Sequence, residues 1–457
     1  MSNLHVIVLA AGQGTRMRSA MPKVLHCIAG RPMLEHVVRT ASTLQPQQIH
    51  VVYGHGGDRV RQELAGLSVE WVEQAEQLGT GHAVAQALPF VPGDAQVLVL
   101  YGDVPLIEED TIARTVRLAQ ADGLALITAD LGDPQGYGRI VRDAQSRVTG
   151  IVEHREASAE QLAITEWNTG ILAADAGRLR GWLEVLDSDN SQGEFYLTDI
   201  VAMAAAQGVI IETVQPRSIE EVLGVNDRVQ LAMLERAYQR DQAEGLMRLG
   251  VSMADPARID VRGEVSTGTD VWLDVNVILE GRVHLADGSR IGPNVVLRNC
   301  EIGAGAQIFA NCVVDDAIVG PGAMVGPYAR LRPGAKLSRD VHVGNFVEVK
   351  NTTLGAGSKA NHLSYLGDSD IGAGVNVGAG TITCNYDGAN KHRTIIGDGA
   401  FIGSGVELIA PVTVEAGATI GAGSTISKDA PAAQLTLTRA RQKSIAEWKR
   451  PQKTSPG

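Results

Sequence analysis

The chain has 457 residues, too many for one ordinary core, so two or three domains are expected. Its formal net charge is −12 with no long basic block, which argues against nucleic acid or an anionic membrane surface as a partner. No apolar run reaches the length of a membrane span and no secretory leader is visible; the four scattered cysteines (Cys27, Cys300, Cys312, Cys384) form no Cys-x-x-Cys and no metal-type cluster, so a reduced, cytoplasmic protein is expected.

Residues 5–11, His-Val-Ile-Val-Leu-Ala-Ala, are a short apolar run of the kind that forms a buried parallel strand. The run breaks into Gly12-Gln13-Gly14-Thr15-Arg16-Met17, a glycine-rich turn. A strand followed by a glycine turn is where phosphates bind, because backbone N–H groups can approach an anion closely. Such a turn also serves packing alone, and it is neither a dinucleotide G-x-G-x-x-G nor a P-loop. Arg16 and Pro22-Lys23 add two fixed cations beside it, which would neutralise a triphosphate. LAAGQGTRM followed by PK resembles the signature of the sugar-nucleotide pyrophosphorylases, whose fold is an α/β, Rossmann-like nucleotidyltransferase.

Val72-Glu73-Gln74 ends a further strand, and Gln77-Leu78-Gly79-Thr80-Gly81-His82-Ala83 opens a helix. The resemblance implies uracil contacts from Gln74, Gly79 and Thr80; read alone, Gly-Thr-Gly is a helix start with a threonine cap. Val97 to Leu100 is an apolar strand running through Tyr101 to Gly102-Asp103. A carboxylate at that end faces the same crevice as the first loop and suits Mg²⁺, a hard cation that shares its shell with substrate phosphates. Gly136-Tyr137-Gly138-Arg139-Ile140, Ile151-Val152-Glu153-His154 and Trp167-Asn168-Thr169-Gly170-Ile171 resemble sugar-side motifs of the family. They imply backbone contact from Gly138, hydroxyl recognition by Glu153 and an N-acetyl or hydroxyl contact from Asn168. Leu9, Ala10, Gly12 and Tyr101 are further implied substrate contacts, and Val225-Asn226 resembles the place that completes the Mg²⁺ site with Asp103. The implied reaction is attack of a sugar 1-phosphate on the α-phosphorus of UTP, with pyrophosphate leaving. The attacking phosphate is already anionic, so no general base is needed and Mg²⁺, Arg16 and Lys23 carry most of the catalysis.

Residues 228–250 lack proline and are rich in helix formers, which predicts a helical linker between a nucleotidyltransferase domain at 1–227 and a second domain at 251–457. Val229, Met233, Arg236, Arg240 and Ala243 or Leu246 give a partial apolar stripe on it.

From Ile259 to Ile426 an aliphatic residue returns every six positions, the longest unbroken run being Val319, Val325, Leu331, Leu337, Val343 and Val349. A period of six belongs neither to a helix nor to a lone strand; it marks a solenoid whose coils turn flat corners. The pattern resembles the hexapeptide-repeat, left-handed parallel β-helix of acyltransferases, which implies trimers. The repeat itself fits an inert oligomerising stalk equally well. The largest break in it, Ile382 to Ile395, together with polar residues upstream of it, extends the resemblance to the bifunctional N-acetylglucosamine-1-phosphate uridyltransferase/glucosamine-1-phosphate acetyltransferases over nearly the whole chain. The tail after Arg441 is the least family-like part.

That resemblance implies acetyl transfer from acetyl-CoA to the amine of glucosamine 1-phosphate. An amine attacks a thioester only when neutral, so a base poised near neutrality is needed. His362 is the implied base, oriented by Glu348. Arg332 and Lys350 would hold the sugar phosphate, with Tyr365 and Asn376 beside them. Asn385 and Tyr386 would close over the sugar or the thioester. Ala379 would offer an oxyanion N–H, and Ser404, Ala422 and Arg439 would contact the coenzyme. Two classes of function follow: a bifunctional enzyme making UDP-N-acetylglucosamine for the cell wall and outer-membrane polysaccharides, or a single-activity pyrophosphorylase with a structural or regulatory prism.

Overall fold

The computed structural model describes residues 3–54, 56–132 and 134–453, the side chains of Ala121 and Asp122 excepted. The chain divides into two compact units, Met1–Tyr238 and Gln239–Gly457.

The first unit is built on β1 (Leu4–Ala10), whose neighbours are β2 (Gln48–Tyr53) and β4 (Gln96–Tyr101), both parallel to it. Its apolar run is continuous because both faces are covered. Leu4, Val6 and Val8 enter one core, and Ile7 and Leu9 enter another on the opposite face. The described sheet has nine strands, and β3 (Glu70–Glu73) extends it beyond β2. On the other side β8 (Glu166–Asp175) runs antiparallel between β4 and β5 (Gly123–Asp130), and β9 (Ile210–Val214) pairs with β5 in parallel. A small antiparallel pair, β6 (Arg139–Arg142) and β7 (Val148–Val152), attaches to β8 through β6. Register sets Ala10 against Tyr53 and Leu9 against Tyr101, so the loops leaving β1, β2 and β4 open at one edge. That edge is where ligands bind in open parallel sheets.

Two local expectations need correcting. The helix Thr80–Ala87 is preceded by Gly79 at φ 111°, so Thr80 is its first residue and not its cap. The Thr80 hydroxyl instead accepts from the Leu197 N–H at 3.1 Å, tying the helix start to a distant loop. The helix Arg228–Arg248 forms as expected, but Val229 and Met233 face solvent and Leu234, Ala237, Ala243 and Leu246 are buried. The stripe holds at Ala243 and Leu246 but is out of phase from Val229 to Arg240, because that part of the segment has too few apolar side chains to fix its face.

In the second unit every strand pairing named in the solenoid is parallel, and from Ile259 to Ile382 residues in register on successive coils lie 17 or 18 positions apart, about three six-residue repeats. The column Leu279, Leu297, Val314, Leu331, Val349 and Leu366 shows the stacking, each residue in register with the next. All six are buried in one continuous core. Of the periodic aliphatic residues between Ile259 and Ile426, Val265 alone is only partly buried. One coil is longer: Ser369 pairs with Thr394 and Asn376 with Phe401, 25 positions apart.

At the other end of the first unit's strands from the open edge, the stacked imidazoles of His5 and His50 lie 3.1 Å apart through Nδ1 and Nε2, and His50 is fully buried. Burial pushes both below the ordinary imidazole value of 6.5, with Glu70 working against it. His26 and His36 shift the same way, again chiefly through burial. The unfolded chain therefore binds more protons than the fold just below pH 6.5, and stability present above that value is lost as pH falls through it. The urea midpoint of the first unit should drop between about pH 7.5 and about pH 5.5, and His50→Phe should shrink that drop.

Candidate active sites

The turn after β1 is shaped by Gly14, at φ 62°, where an added Cβ would lie 2.5 Å from Lys23 Cβ. Only glycine allows that approach. A 3-10 turn, Thr15–Met17, then leaves Arg16 exposed while Met17 anchors in the core. One cavity at the open edge is lined by Leu9, Ala10, Gly12, Lys23, Gln74, Gly79, Thr80, Tyr101 and Asp103 together. Sequence reasoning did not assign a role to Gln77 or Glu194, which also line it. Gln77 sat within a quoted motif and was within reach; Glu194 comes from a loop with no local signal.

At the mouth of this cavity the cations and their acceptors converge. Lys23 Nζ pairs with the Asp103 carboxylate and donates to Asn226 Oδ1 at 3.0 Å, and Arg16 Nη2 donates to the same oxygen at 2.9 Å. The Val225 N–H donates to the Asp103 carbonyl at 2.9 Å, which fastens the Asn226 loop to the end of β4. Asp103 and Asn226 thus offer two hard oxygen donors to one point already occupied by a cationic group, a set that fits Mg²⁺. Gln74 holds the cavity wall by donating to the Gly79 carbonyl at 3.1 Å.

Glu153 and Arg16 line a neighbouring cavity with Gly136, His154, Arg155 and Gln192. Burial raises the Glu153 carboxyl above its usual range, opposed by a 3.0 Å hydrogen bond from the Thr198 hydroxyl. Burial, then Asp103 and Glu153, pushes the Tyr101 phenol well above its ordinary value, so it stays a neutral donor. Asn168 sits at a register break in β8; its N–H donates to the Gly138 carbonyl at 2.9 Å and its Oδ1 accepts from Gly170 N–H at 3.1 Å.

On the prism the expected residues fall into two groups. On one face Glu348 is in register with Tyr365, and Lys350 with Gly367. Arg332 Nη1 donates to Glu348 Oε1 at 2.7 Å. Glu348 was expected to orient His362; among the described residues its partner is Arg332 instead. His362 ends a strand of the adjacent face and points to solvent, across the corner at Leu363. The long coil folds its extra residues into a loop in which Tyr386 bridges Lys391 and the His392 N–H donates to the Asn385 carbonyl at 2.8 Å. Asn385 Nδ2 donates to Asp368 at 2.5 Å, and Asn351 donates to the other oxygen of Asp368 at 2.6 Å. Sequence reasoning missed Lys391. Its ammonium faces Lys350, which holds it below its ordinary value, with the Asp368 carboxylate working against that shift. Its place in the insertion was the available signal.

The second group is a column. The Gly380 N–H donates to the His362 carbonyl at 3.4 Å, Gly405 N–H to Ala379 at 2.7 Å, and Gly423 N–H to Ser404 at 2.8 Å. Ala422 follows in the next coil, and an added Cβ at Gly421 would lie 3.7 Å from Arg439 Nη2. His362, Ala379, Ser404, Ala422 and Arg439 are therefore stacked along one corner. Asn376 lies on the face that leads to it, in register with Lys359 and Phe401. After Leu435–Thr436 the tail forms no regular element through residue 453, and 454–457 lie outside the described residues.

Residues 6–166 match the model of the MobA-like NTP transferase domain, and residues 393–428 that of the bacterial transferase hexapeptide (six repeats). Fold and sites together define a transferase that joins a nucleotidyltransferase unit to a hexapeptide-repeat prism. The chain is 57% identical over 453 residues to the bifunctional protein GlmU of Marinobacter nauticus, covering 99% of this chain and all of that one. It is 58% identical over 454 residues to that of Aromatoleum aromaticum, with the same coverage. The chain belongs to the GlmU family of bifunctional proteins. Among solved structures, a UDP-glucose pyrophosphorylase complexed with UDP-glucose matches 53% of this chain and all of its own at 15% identity, with a TM-score of 0.44.

Gly14→Ala forces Lys23 away from the cavity. Calorimetric titration should show UTP binding weakened about tenfold or more, with acetyl transfer unchanged.

Proposed function

We infer that this chain makes UDP-N-acetylglucosamine in two group transfers, one in each unit. The first moves an acetyl group from acetyl-CoA to glucosamine 1-phosphate, and the second moves uridylyl from UTP to the N-acetylated product with release of pyrophosphate. The nucleotidyltransferase domain is assigned to 1–227, the helical linker to 228–250 and the acetyltransferase domain to 251–457. The observation that carries the reading is that each unit gathers its own cations, Lys23 with Arg16 at the cavity mouth in one and Arg332, Lys350 and Lys391 on the prism in the other.

In uridylyl transfer the sugar phosphate is its own nucleophile. Lys23 and Arg16 hold the triphosphate, the Gly12–Gly14 turn lets backbone N–H groups approach it, and Gln74, Gly79 and Thr80 read the base. Gly138, Glu153 and Asn168 hold the sugar. Asp103 and Asn226 would hold Mg²⁺, which when bound supplies charge neutralisation for the leaving pyrophosphate. In acetyl transfer His362 takes the amine proton, and the Ala379 N–H stabilises the thioester oxyanion. Arg332, Lys350 and Lys391 hold the sugar phosphate, Glu348 orients Arg332, and the Ser404, Ala422 and Arg439 corner receives the coenzyme.

The prism is proposed to work as a homotrimer. Tyr328, Phe346 and Leu363 stand at left-handed corners, φ 57°, 56° and 49°, and are 52%, 59% and 64% exposed. Exposed bulky side chains held in strain suit burial against a second copy. The face bearing Arg332 and Tyr365 and the corner bearing His362 would then be completed from neighbouring copies. No described helix is long and apolar enough to cross a membrane, and the cytoplasm is the proposed location.

His362→Ala should lose CoA release with glucosamine 1-phosphate by about 10²–10⁴-fold and keep pyrophosphate release from UTP. Asp103→Ala should do the reverse. Acetyl transfer left intact in His362→Ala would remove the base from the scheme.

A further inference from the structure

Arg139, at the start of β6, is 1% exposed. Among the described residues no carboxylate lies within ion-pairing distance of it. Nη1 donates to the carbonyl of Pro134 at 2.7 Å and to that of Tyr137 at 2.5 Å, and the buried Nε has no partner. A buried guanidinium whose Nε has no hydrogen-bond partner is costly, and a fold keeps one where something else is gained by it.

What its two bonds hold is the turn from Pro134 to Gly138, which closes on itself through Tyr137 N–H to the Pro134 carbonyl at 3.2 Å. From beneath, the Tyr137 ring rests on Trp167 with centroids 4.0 Å apart, and Arg139 is in register with Trp167. The turn carries Gly136 into the cavity shared with Glu153. Its last residue, Gly138, accepts from the Asn168 N–H, and an added Cβ there would lie 2.8 Å from Ile151 and 3.5 Å from Glu153 Oε1. One side chain therefore holds the turn that ends at Gly138, beside Glu153 and Asn168.

We propose that Arg139 is a positioning residue for the sugar phosphate in uridylyl transfer: by clamping two carbonyls of the Pro134–Gly138 turn it fixes the backbone against which the sugar is read. This rests on placing the sugar at Gly138, Glu153 and Asn168. Arg139 is not among the residues that line the UTP cavity, so its effect falls on the sugar side.

The test uses the full-length enzyme with Arg139→Met, which keeps the volume and removes the donors, and Arg139→Lys, whose ammonium can still reach toward both carbonyls. Arg139→Met should raise KM for N-acetylglucosamine 1-phosphate about tenfold or more, leave KM for UTP within about twofold, and leave acetyl transfer unchanged. Arg139→Lys should recover most of the loss. Both KM values unchanged, both raised together with a lowered melting temperature, or Lys no better than Met would each overturn the proposal. Glu153→Gln separates the two levels. If it raises the sugar KM and Arg139→Met does not, the clamp is wrong and the sugar site stands; if neither raises it, both are wrong.

Discussion

No coil of this solenoid can bury its own apolar corner, and that constraint orders the second unit. A leucine or valine inside the prism is dry only because its equivalents 17 or 18 positions away close over it on both sides. Coil length is therefore held nearly constant wherever the core must continue. The column from Leu279 to Leu366 shows how strictly the register is kept. Extra residues must leave the stack at a corner, since room inside it would cost the packing of two neighbours at once. The single 25-residue coil obeys this, and its surplus forms the loop that brings Lys391 to Lys350.

The first unit meets a related demand by other means. Parallel strands covered on both faces leave only their ends for chemistry, and register brings the ends of β1, β2 and β4 together. Lys23 and Arg16 would repel one another across a shared anion site. Asn226 offers one oxygen to both, and the Asp103 carboxylate pairs with Lys23. The prism uses the same device, with Glu348 against Arg332 and Asp368 near Lys350 and Lys391. In each site the protein's own carboxylate or amide stands between the cations.

Much of this was legible in residues that carry a local rule. The glycines of the first turn, the apolar strand ending at Asp103 and the six-residue period each state their geometry within a few positions. So did the nine expected substrate contacts that line one cavity, because they lie at strand ends and on the turns that follow. Contacts settled by long-range packing were not legible. The Arg332–Glu348 pair, the Thr80 hydroxyl taken by Leu197 and the true buried face of the helix Arg228–Arg248 all depend on which distant segment arrives first at a group with several possible partners. Arg139 stood in a quoted motif, yet its burial shows only once β8 is laid beneath it.

The same corner of the prism is used in different ways along its length, and the change follows from the side chain that stands there. Asn276, Asn294 and Asn311 occupy it first, at φ 60°, 59° and 61°, and Tyr328, Phe346 and Leu363 follow, each at a positive φ that costs a bulky residue roughly 1–2 kcal/mol. Gly380, Gly405 and Gly423 occupy the equivalent places in the coils that follow, at φ 75°, 65° and 70°, where glycine adopts the turn without that cost. Relieving the strain in the middle coils would have needed only the same substitution, so the strain is kept for what the side chains add, an apolar ridge. In the later coils a ridge would cover the backbone between Ala379 and Ala422. Glycine leaves that stretch bare beside Ser404 and Arg439, and His362 stands at the junction, where the ridge ends and the open backbone begins.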